Sequence, residues 1–197
     1  METISKDKAI KILHQKNTVL FDVVDAFKIF KIKKENTLYK LLQRLEKAGV
    51  IERVYQGKYR FLFQEVDDFE LANFLISPSY ISLESALSFY SILPQFVYSI
   101  TSVTPLKTNK IVYQEKEFEF SHLDKKYFFG FEKKNNFLIA KPEKALLDEL
   151  YLSAKKIRSI NFEDLDLAKI DKGQLRIWAQ EYNFLPLNNL IKQLKLI

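Results

Sequence analysis

A leucine-patterned helix, followed by a glycine and a short hairpin, constrains the fold of this chain most. The helix is predicted from about Lys34 to Ala48, and Gly49 suits the left-handed backbone position just past a helix end. Its apolar positions have the spacing of one buried face and are Leu38, Leu41, Leu42 and Leu45. Two strand-forming runs, 50–55 and 58–63, follow on either side of the tight-turn candidate Gln56-Gly57. The stretch therefore predicts a helix and a two-stranded hairpin.

Two further helices are predicted ahead of this stretch. The segment from Ile4 to Gln15 places apolar residues on an approximate helical stripe, and Val19 to Phe30 is predicted as a short second helix. Three helices followed by a hairpin, within about 60 residues, have the order of a winged helix-turn-helix. A winged helix-turn-helix usually binds DNA, but small helical domains with a hairpin also occur as protein-interaction modules. The order of elements alone therefore leaves both DNA binding and protein binding open.

The excess positive charge of the chain belongs to its first third. Residues 1–63 contain 14 Lys and Arg against 7 Asp and Glu, a net charge of +7. Residues 64–197 contain 17 and 18, a net charge of −1. This asymmetry indicates a basic module joined to a near-neutral one, which favours DNA binding. Charge alone is explained equally well by a solvated, lysine-rich face.

The polar face of the third helix supplies the candidate DNA contacts. An α-helix fits the major groove of DNA, where amide and guanidinium groups reach base edges and lysines add sequence-independent affinity. We expect Gln43 or Arg44 to contact bases, and Lys58 and Arg60 of the hairpin to lie beside phosphates. The complete predicted set is Lys34, Asn36, Thr37, Tyr39, Lys40, Gln43, Arg44, Lys47, Lys58 and Arg60. Each side chain alone is equally well explained as a solvated surface residue, so the group carries the prediction.

The remaining two thirds of the chain are predicted to form a mixed α+β domain that begins with the acidic junction QEVDDFE. Helices are expected after the capping residue Ser82, from Pro142, after Asp171, and from Leu187 to Leu196. Runs typical of strands are Phe96 to Thr104, Ile111 to Gln114, Phe118 to Phe120, Tyr127 to Phe131 and Phe137 to Ala140. The predicted fold class is therefore α+β, with an N-terminal winged helix-turn-helix (1–63) and a C-terminal α+β domain (64–197).

Candidates for catalysis are few. The chain has no cysteine, its four glycines do not form a phosphate-binding loop, and its two histidines, His14 and His122, fall in different predicted domains. Four carboxylates leave a metal-dependent nuclease open as an alternative: Glu115, Glu117, Asp148 and Glu149. The simpler interpretation places the first two on the polar face of a strand and the other two on the exposed side of a helix. We therefore expect no enzymatic activity and no cofactor.

Lysines of the C-terminal part offer a second, weaker candidate surface. Lys107, Lys110, Lys141 and Lys144 would touch DNA or an acidic partner, but a scattered, solvated set is expected because the net charge there is −1. No apolar run approaches the roughly 20 residues of a membrane span, and the start METISKDKAIKIL lacks the apolar core of a signal peptide. The sequence thus predicts a cytoplasmic protein without a membrane partner.

Three stretches in a fixed order resemble the AbiEi-type antitoxins, which are also described as transcriptional regulators of phage-defence systems. These stretches are SYISLESALSFYSILPQ, TSVTPLKT and FLIAKPEKALLDELYL, and the closing INFEDLDLAKIDKGQLRIWAQEYN is similar to that family too. Together with the N-terminal winged helix, the resemblance covers nearly the whole chain. One departure is Ser91, where we expect glycine in many relatives.

The resemblance implies a bipartite protein. Its winged helix would bind inverted repeats in its own promoter and repress the operon, and its C-terminal domain would neutralise a nucleotidyltransferase-like toxin of the AbiEii type, encoded next door. We therefore expect a sequence-specific DNA-binding repressor and antitoxin. The alternatives left by the residues themselves are an adaptor whose winged helix binds a partner protein, and the nuclease.

Overall fold

The chain folds into two compact units, Met1–Asp67 and Asp68–Ile197. The computed structural model describes residues 4–95, 98–159 and 161–196. Each unit combines helices with a β-sheet, so the fold class is α+β. Among the helices that lie in the described ranges, none is both long and apolar enough to cross a membrane.

Unit 1 packs three helices on a three-stranded antiparallel sheet. Its elements are α1 (Lys6–Gln15), β1 (Leu20–Asp22), α2 (Val23–Phe30), α3 (Glu35–Lys47), β2 (Ile51–Tyr55) and β3 (Lys58–Phe61). The strand order is β1-β3-β2, so β3 is the central strand. The four leucines of α3 are buried, as their spacing predicts, and share one core with Phe21 and Phe61. This core holds α3 against the sheet by its apolar side.

The prediction of a helix from Val19 to Phe30 is wrong at its start, because Leu20–Asp22 form strand β1. Phe21 is buried and its ring stacks on Tyr59 of β3, with 5.8 Å between ring centroids. The helix begins only at Val23, where the Asp22 carboxylate accepts a hydrogen bond of 2.8 Å from the Asp25 backbone N–H. Strand pairing with a distant segment therefore overrides the local helical pattern.

Two glycines shape the exit from α3 and the hairpin that follows. Gly49 has φ +65° after the helix, as predicted, and Gly57 has φ +66° in the turn between β2 and β3. The Gly57 carbonyl also accepts a hydrogen bond of 3.0 Å from the Val23 backbone N–H. The tip of the hairpin is thus held at the start of α2.

Unit 2 packs helices on a six-stranded mixed sheet of order β6-β7-β5-β4-β9-β8. Its strands are β4 (Tyr80–Ile81), β5 (Ser99–Thr104), β6 (Asn109–Tyr113), β7 (Lys116–His122), β8 (Phe131–Lys134) and β9 (Phe137–Ala140). Its helices are α4 (Asp68–Leu75), α5 (Leu83–Phe89), α6 (Pro142–Ala154), α7 (Lys172–Glu181) and α8 (Leu185–Gln193). Helix α6 contacts α5, α7, α8 and β9 and is the centre of this unit.

Most of the predicted elements of unit 2 are confirmed with shifted ends. The run from Phe137 to Ala140 is a strand over its whole predicted length, and Pro142 occupies the first turn of α6. The prediction of a strand from Tyr127 to Phe131 is wrong up to its last residue: a 3₁₀ turn spans Lys125–Tyr127, and β8 begins at Phe131. Residues 96 and 97 of another predicted strand lie outside the described residues.

Ser91 has a backbone conformation that glycine tolerates better. It follows α5 with φ +56°, and its backbone N–H donates to the Ser88 carbonyl at 2.8 Å. This left-handed conformation costs an L-residue about 1 kcal/mol, partly offset by the greater freedom of glycine in the unfolded chain. We expect Ser91→Gly to raise the free energy of unfolding by about 0.5 kcal/mol, measured by urea denaturation. The matched variant Ser88→Gly, inside α5, should lower it by a similar amount, and a loss on Ser91→Gly would contradict the argument.

Candidate nucleic-acid interface

The outward face of α3 carries four polar side chains in one line. They are Asn36, Lys40, Gln43 and Lys47, all exposed and separated by steps of four, three and four residues. The buried leucines lie on the opposite side of the helix, so packing fixes which face is presented to solvent. The two carboxylates of α3, Glu35 and Glu46, project from a different side, since successive residues turn by about 100°. The line is therefore cationic and amide-bearing.

Arg44 lies beside this line and contacts the backbone just before α1. Its guanidinium donates a hydrogen bond to the backbone carbonyl of Ile4, just before α1. Arg44 thus helps to hold the backbone at Ile4 against α3, a structural role that its sequence position does not reveal.

The other predicted contacts of α3 lie at its start and along its edge. Lys34 is the residue before the helix and is exposed, whereas Thr37 is half-buried. Tyr39 is 45% exposed and lies near Tyr59. Burial is the main cause of the raised pKa of Tyr59; Glu46 and the Tyr39 phenol add to it, and the Arg53 charge opposes it. Lys34, Thr37 and Tyr39 flank the line but do not extend it.

Lys58 and Arg60 are half-buried on β3, and each lies opposite a carboxylate on a neighbouring strand. Lys58 pairs in register with Asp22 of β1, and Arg60 with Glu52 of β2. Burial lowers the pKa of the Lys58 ammonium, and the Asp22 charge opposes that shift. These two cations are therefore partly compensated within the sheet and less open to phosphates than the sequence suggests.

Three exposed cations near the predicted contacts were missed. Lys31 and Lys33 lie in the turn between α2 and α3, and Arg53 lies on β2, where its Nε donates to the Tyr55 carbonyl at 3.4 Å. A signal for the lysines was present in the sequence, because the run KIKK directly precedes the helix that carries the line. Together with Lys34 they place positive charge at the amino end of α3.

The carboxylates of the nuclease alternative are not arranged as predicted. Asp148 and Glu149 are completely buried on α6, so the prediction of an exposed side is wrong. Lys144, predicted on a solvated or basic surface, is buried as well, whereas Lys107, Lys110 and Lys141 are exposed. Surrounding elements cover α6 on nearly every side. The apolar stripe in the sequence of α6 predicts burial of one face only, so it does not indicate this wider burial.

Asp148 accepts hydrogen bonds from three hydroxyl groups and forms an ion pair with Lys144. The donors are Tyr80 at 2.9 Å, Ser82 at 2.8 Å and Tyr182 at 3.0 Å. Ser82 precedes α5, but its hydroxyl donates to Asp148 instead of capping that helix. Burial, followed by the Asp148 charge, raises the pKa of Tyr80 and of Tyr182, which keeps both phenols as donors. Both oxygens of Asp148 are thereby occupied by protein groups.

Arg158 joins two carboxylates from different elements in a second charged cluster. It donates to Glu84 of α5 at 2.6 Å and to Glu119 of β7 at 2.9 Å. Glu149 lies next to this cluster: burial and the Glu84 charge raise its pKa to about 7, while Arg158 opposes the shift. One oxygen of Glu84 and one of Glu149 are buried without a hydrogen bond among the described residues.

The remaining titratable candidates do not assemble into a metal site. Glu115 lies in the turn between β6 and β7, with φ +64°, and not on a strand as expected; Glu117 lies on β7 and pairs with Lys110. The ring of His14 packs edge-on against Phe61, and Nδ1 of His122 lies 2.7 Å from the Leu106 carbonyl oxygen. In the described part of the chain, no three carboxylate or imidazole groups come together in a metal-binding arrangement.

The structure thus brings four of the ten predicted contacts into one line on α3, places Lys34, Thr37, Tyr39 and Arg44 around it, and separates Lys58 and Arg60 onto the sheet. The side chains of this line are of the kinds that contact nucleic acid, since amides read base edges and lysines contact phosphates. No protein-family model and no curated protein sequence matches this chain.

Proposed function

We propose that unit 1 is a winged helix-turn-helix that binds duplex DNA in a sequence-specific manner, and that the chain is a repressor and antitoxin of the AbiEi type. The observation that carries the DNA-binding part is the exposed line of Asn36, Lys40, Gln43 and Lys47 on α3. That helix is anchored by four buried leucines and followed directly by the hairpin β2–β3. In this assignment α3 is the recognition helix and the hairpin is the wing.

The line on α3 has the chemistry of a base-reading surface. Asn36 and Gln43 carry amides, which pair in bidentate fashion with adenine, and Lys40 and Lys47 carry ammonium groups that suit guanine or phosphate. Lysines at the amino end of α3 would contact the phosphates that flank the groove. The wing contributes less in this proposal, because two of its three cations, Lys58 and Arg60, face Asp22 and Glu52, which leaves Arg53 as its exposed cation.

The antitoxin part of the proposal is supported by the way the family-like stretches meet in unit 2. Tyr80 and Ser82 of the first stretch donate to Asp148 of the third. Thr101, of the second stretch, donates to the Ser82 carbonyl at 2.8 Å. Three segments far apart in sequence therefore form one core. We propose that this cytoplasmic unit serves to neutralise a nucleotidyltransferase-like toxin encoded beside it, with no cofactor and no enzymatic activity.

The test of DNA binding removes two lysines of the line. We expect Lys40→Ala with Lys47→Ala to weaken binding to the upstream DNA of its own operon at least about tenfold, and to reduce the slope of log affinity against log salt by about 2, since each lysine lost leaves one phosphate uncompensated. Fluorescence anisotropy at several salt concentrations measures both quantities. Arg44 stays intact in this variant because it also holds Ile4.

The matched control neutralises two exposed lysines of unit 2, Lys192 and Lys195, and should leave affinity and salt slope unchanged. Unchanged binding by the α3 variant would contradict the assignment of α3 as the recognition helix. If the intact chain binds neither operator nor random duplex at low salt, the adaptor alternative replaces the proposal.

A further inference from the structure

A groove of about 430 Å³ lies between α7 and α8 in unit 2. The lining residues from α7 and the turn after it are spaced by three, one and three positions, and those from α8 by four, so each set shares one side of its helix. The complete lining is polar except for one alanine and consists of Arg176, Ala179, Gln180, Asn183, Asn188 and Lys192. Two cations and three amides therefore border one concave surface.

The two helices that form this groove are held in place by the core of unit 2. Their apolar sides are buried, and both helices pack on α6. In the turn between them, the Tyr182 hydroxyl donates to Asp148 at 3.0 Å, and the Tyr182 carbonyl accepts a hydrogen bond of 2.7 Å from the Tyr127 hydroxyl. The protein core therefore fixes the shape of the groove before any ligand binds.

The polar groups of the groove have no partner within the protein. Among the described residues, none of its five polar side chains forms a hydrogen bond or an ion pair with another protein group. Glu181, the single carboxylate of α7 and α8, does not belong to the lining. Two positive charges thus face the groove without a counter-charge.

The charge of these two helices also differs from that of the rest of unit 2. Residues 172–197 contain four Lys and Arg against one Glu, a net charge of +3. Residues 68–171 contain 13 Lys and Arg against 15 Asp and Glu, a net charge of −2. The groove therefore belongs to a basic element of an otherwise acidic unit, and its potential attracts anions.

The number of charges and donors selects the kind of anion. A phosphate monoester carries about two negative charges at neutral pH and three strong acceptor oxygens, so it compensates both cations at once. A guanidinium binds such a group in bidentate fashion, and an ammonium contributes a point charge. A carboxylate carries one charge and would leave one cation unpaired. The lining is therefore best matched by a phosphate monoester.

The remainder of the ligand is expected to be polar. The groove has the size of a small-molecule site, about 300–1,000 Å³, and so accommodates more than a phosphate group. The amides of Gln180, Asn183 and Asn188 donate and accept hydrogen bonds, as sugar hydroxyls require. Within the described part of the chain, no aromatic side chain lines the groove, so the surface on which a nucleobase would stack is missing. These features favour a sugar phosphate over a nucleotide.

We propose that the α7–α8 groove binds the phosphate monoester of a sugar. Arg176 and Lys192 contact the phosphate, and the three amides contact the hydroxyls of the sugar. This binding site goes beyond the proposed function and does not depend on it, because the groove belongs to unit 2 and the proposed DNA contacts belong to unit 1.

Isothermal titration calorimetry of the full chain, at about 0.1 M salt, tests the site with defined probes. We expect ribose 5-phosphate to bind one site per chain with a dissociation constant below about 1 mM. Inorganic phosphate should bind about tenfold more weakly, because it lacks the hydroxyls that the amides contact, and ribose should not bind. Adenosine 5′-monophosphate should bind no more tightly than ribose 5-phosphate, because its base finds no aromatic surface.

Two matched double variants assign this binding to the groove. Arg176→Gln with Lys192→Gln removes both cations and should raise the dissociation constant of ribose 5-phosphate more than about tenfold. Lys172→Gln with Lys195→Gln makes the same change of net charge on and beside the same helices, outside the lining, and should change that constant less than about twofold. All four side chains are exposed, and circular dichroism verifies that both variants are folded.

Three results would overturn the inference: no saturable binding of ribose 5-phosphate up to about 10 mM; equal losses in the two double variants; or tighter binding of a glutamate-rich peptide, which would make the groove a docking site for an acidic protein. DNA is absent from these titrations, so their failure leaves the proposed function intact. Conversely, a chain that does not bind its operator is still expected to bind the sugar phosphate.

Discussion

Replacing Asp148 with alanine is expected to lower the free energy of unfolding of unit 2 by about 3–5 kcal/mol, the usual cost of leaving a buried charge unpaired. The ammonium of Lys144 would remain completely buried, with the Tyr182 hydroxyl at 2.9 Å as its remaining hydrogen-bond partner among the described residues. Burial already lowers the pKa of Lys144, and the Asp148 charge is what opposes that shift. Urea denaturation followed by the fluorescence of Trp178, the single tryptophan and part of α7, reports on this unit.

The matched variant removes the other member of the pair. Lys144→Met leaves Asp148 with its three hydroxyl donors, so its loss should be smaller, about 1–3 kcal/mol. The two variants therefore compare two losses in the free energy of unfolding: that of leaving a buried ammonium unpaired, and that of leaving a carboxylate with its hydrogen bonds but without its cation. A larger loss for Lys144→Met than for Asp148→Ala would contradict this account of the cluster.

Glu149→Gln is expected to stabilise unit 2 at pH 8 and to have little effect at pH 4.5. Burial and the Glu84 charge raise the pKa of Glu149 to about 7 from 4.5. Between these two pH values the folded state keeps a proton that the unfolded state has released. The stabilisation that this proton provides is complete below about pH 4.5 and is lost as pH rises through about 7. At about 1.4 kcal/mol per pKa unit, the gain at pH 8 is up to about 3 kcal/mol.

Trp178 fluorescence in urea, measured from pH 5 to pH 8, tests the sign as well as the size. The wild-type free energy of unfolding should fall from pH 5 to pH 8. The free energy of unfolding of Glu149→Gln should fall less over the same range. Glu163→Gln, at an exposed carboxyl of the same unit, should follow the wild-type curve. Parallel curves for wild type and Glu149→Gln would mean that Glu149 is ionised in the folded state throughout.

The parts of the fold that local patterns determine could be predicted from the sequence. Helix α3 was expected from about Lys34 to Ala48 and spans Glu35–Lys47, because one leucine stripe and one glycine define it. The line on its outer face follows from the same periodicity. Strand β9 was equally clear, since its four apolar residues are bounded by the polar residues Asn136 and Lys141.

Features decided by distant partners could not be predicted in this way. Spacing places Lys144 and Asp148 on the same side of α6, one turn apart, but Tyr80 and Tyr182 determine that this side is buried. Likewise, Arg44 donates to the Ile4 carbonyl, 40 residues away in the sequence, and the pattern of α3 does not indicate that partner. Charged residues on a helix are usually exposed, and α6 is an exception because elements from across unit 2 enclose it.

The bond between Arg44 and the Ile4 carbonyl also bears on how the protein should be prepared. Ile4, the first described residue, lies against the helix proposed to enter the DNA groove. An acidic affinity tag fused ahead of this residue would compete with the phosphates for the lysines of α3, and a histidine-rich tag there would crowd the duplex. Recombinant protein for binding studies should therefore carry its tag at the carboxyl end, or have an amino-terminal tag cleaved before measurement.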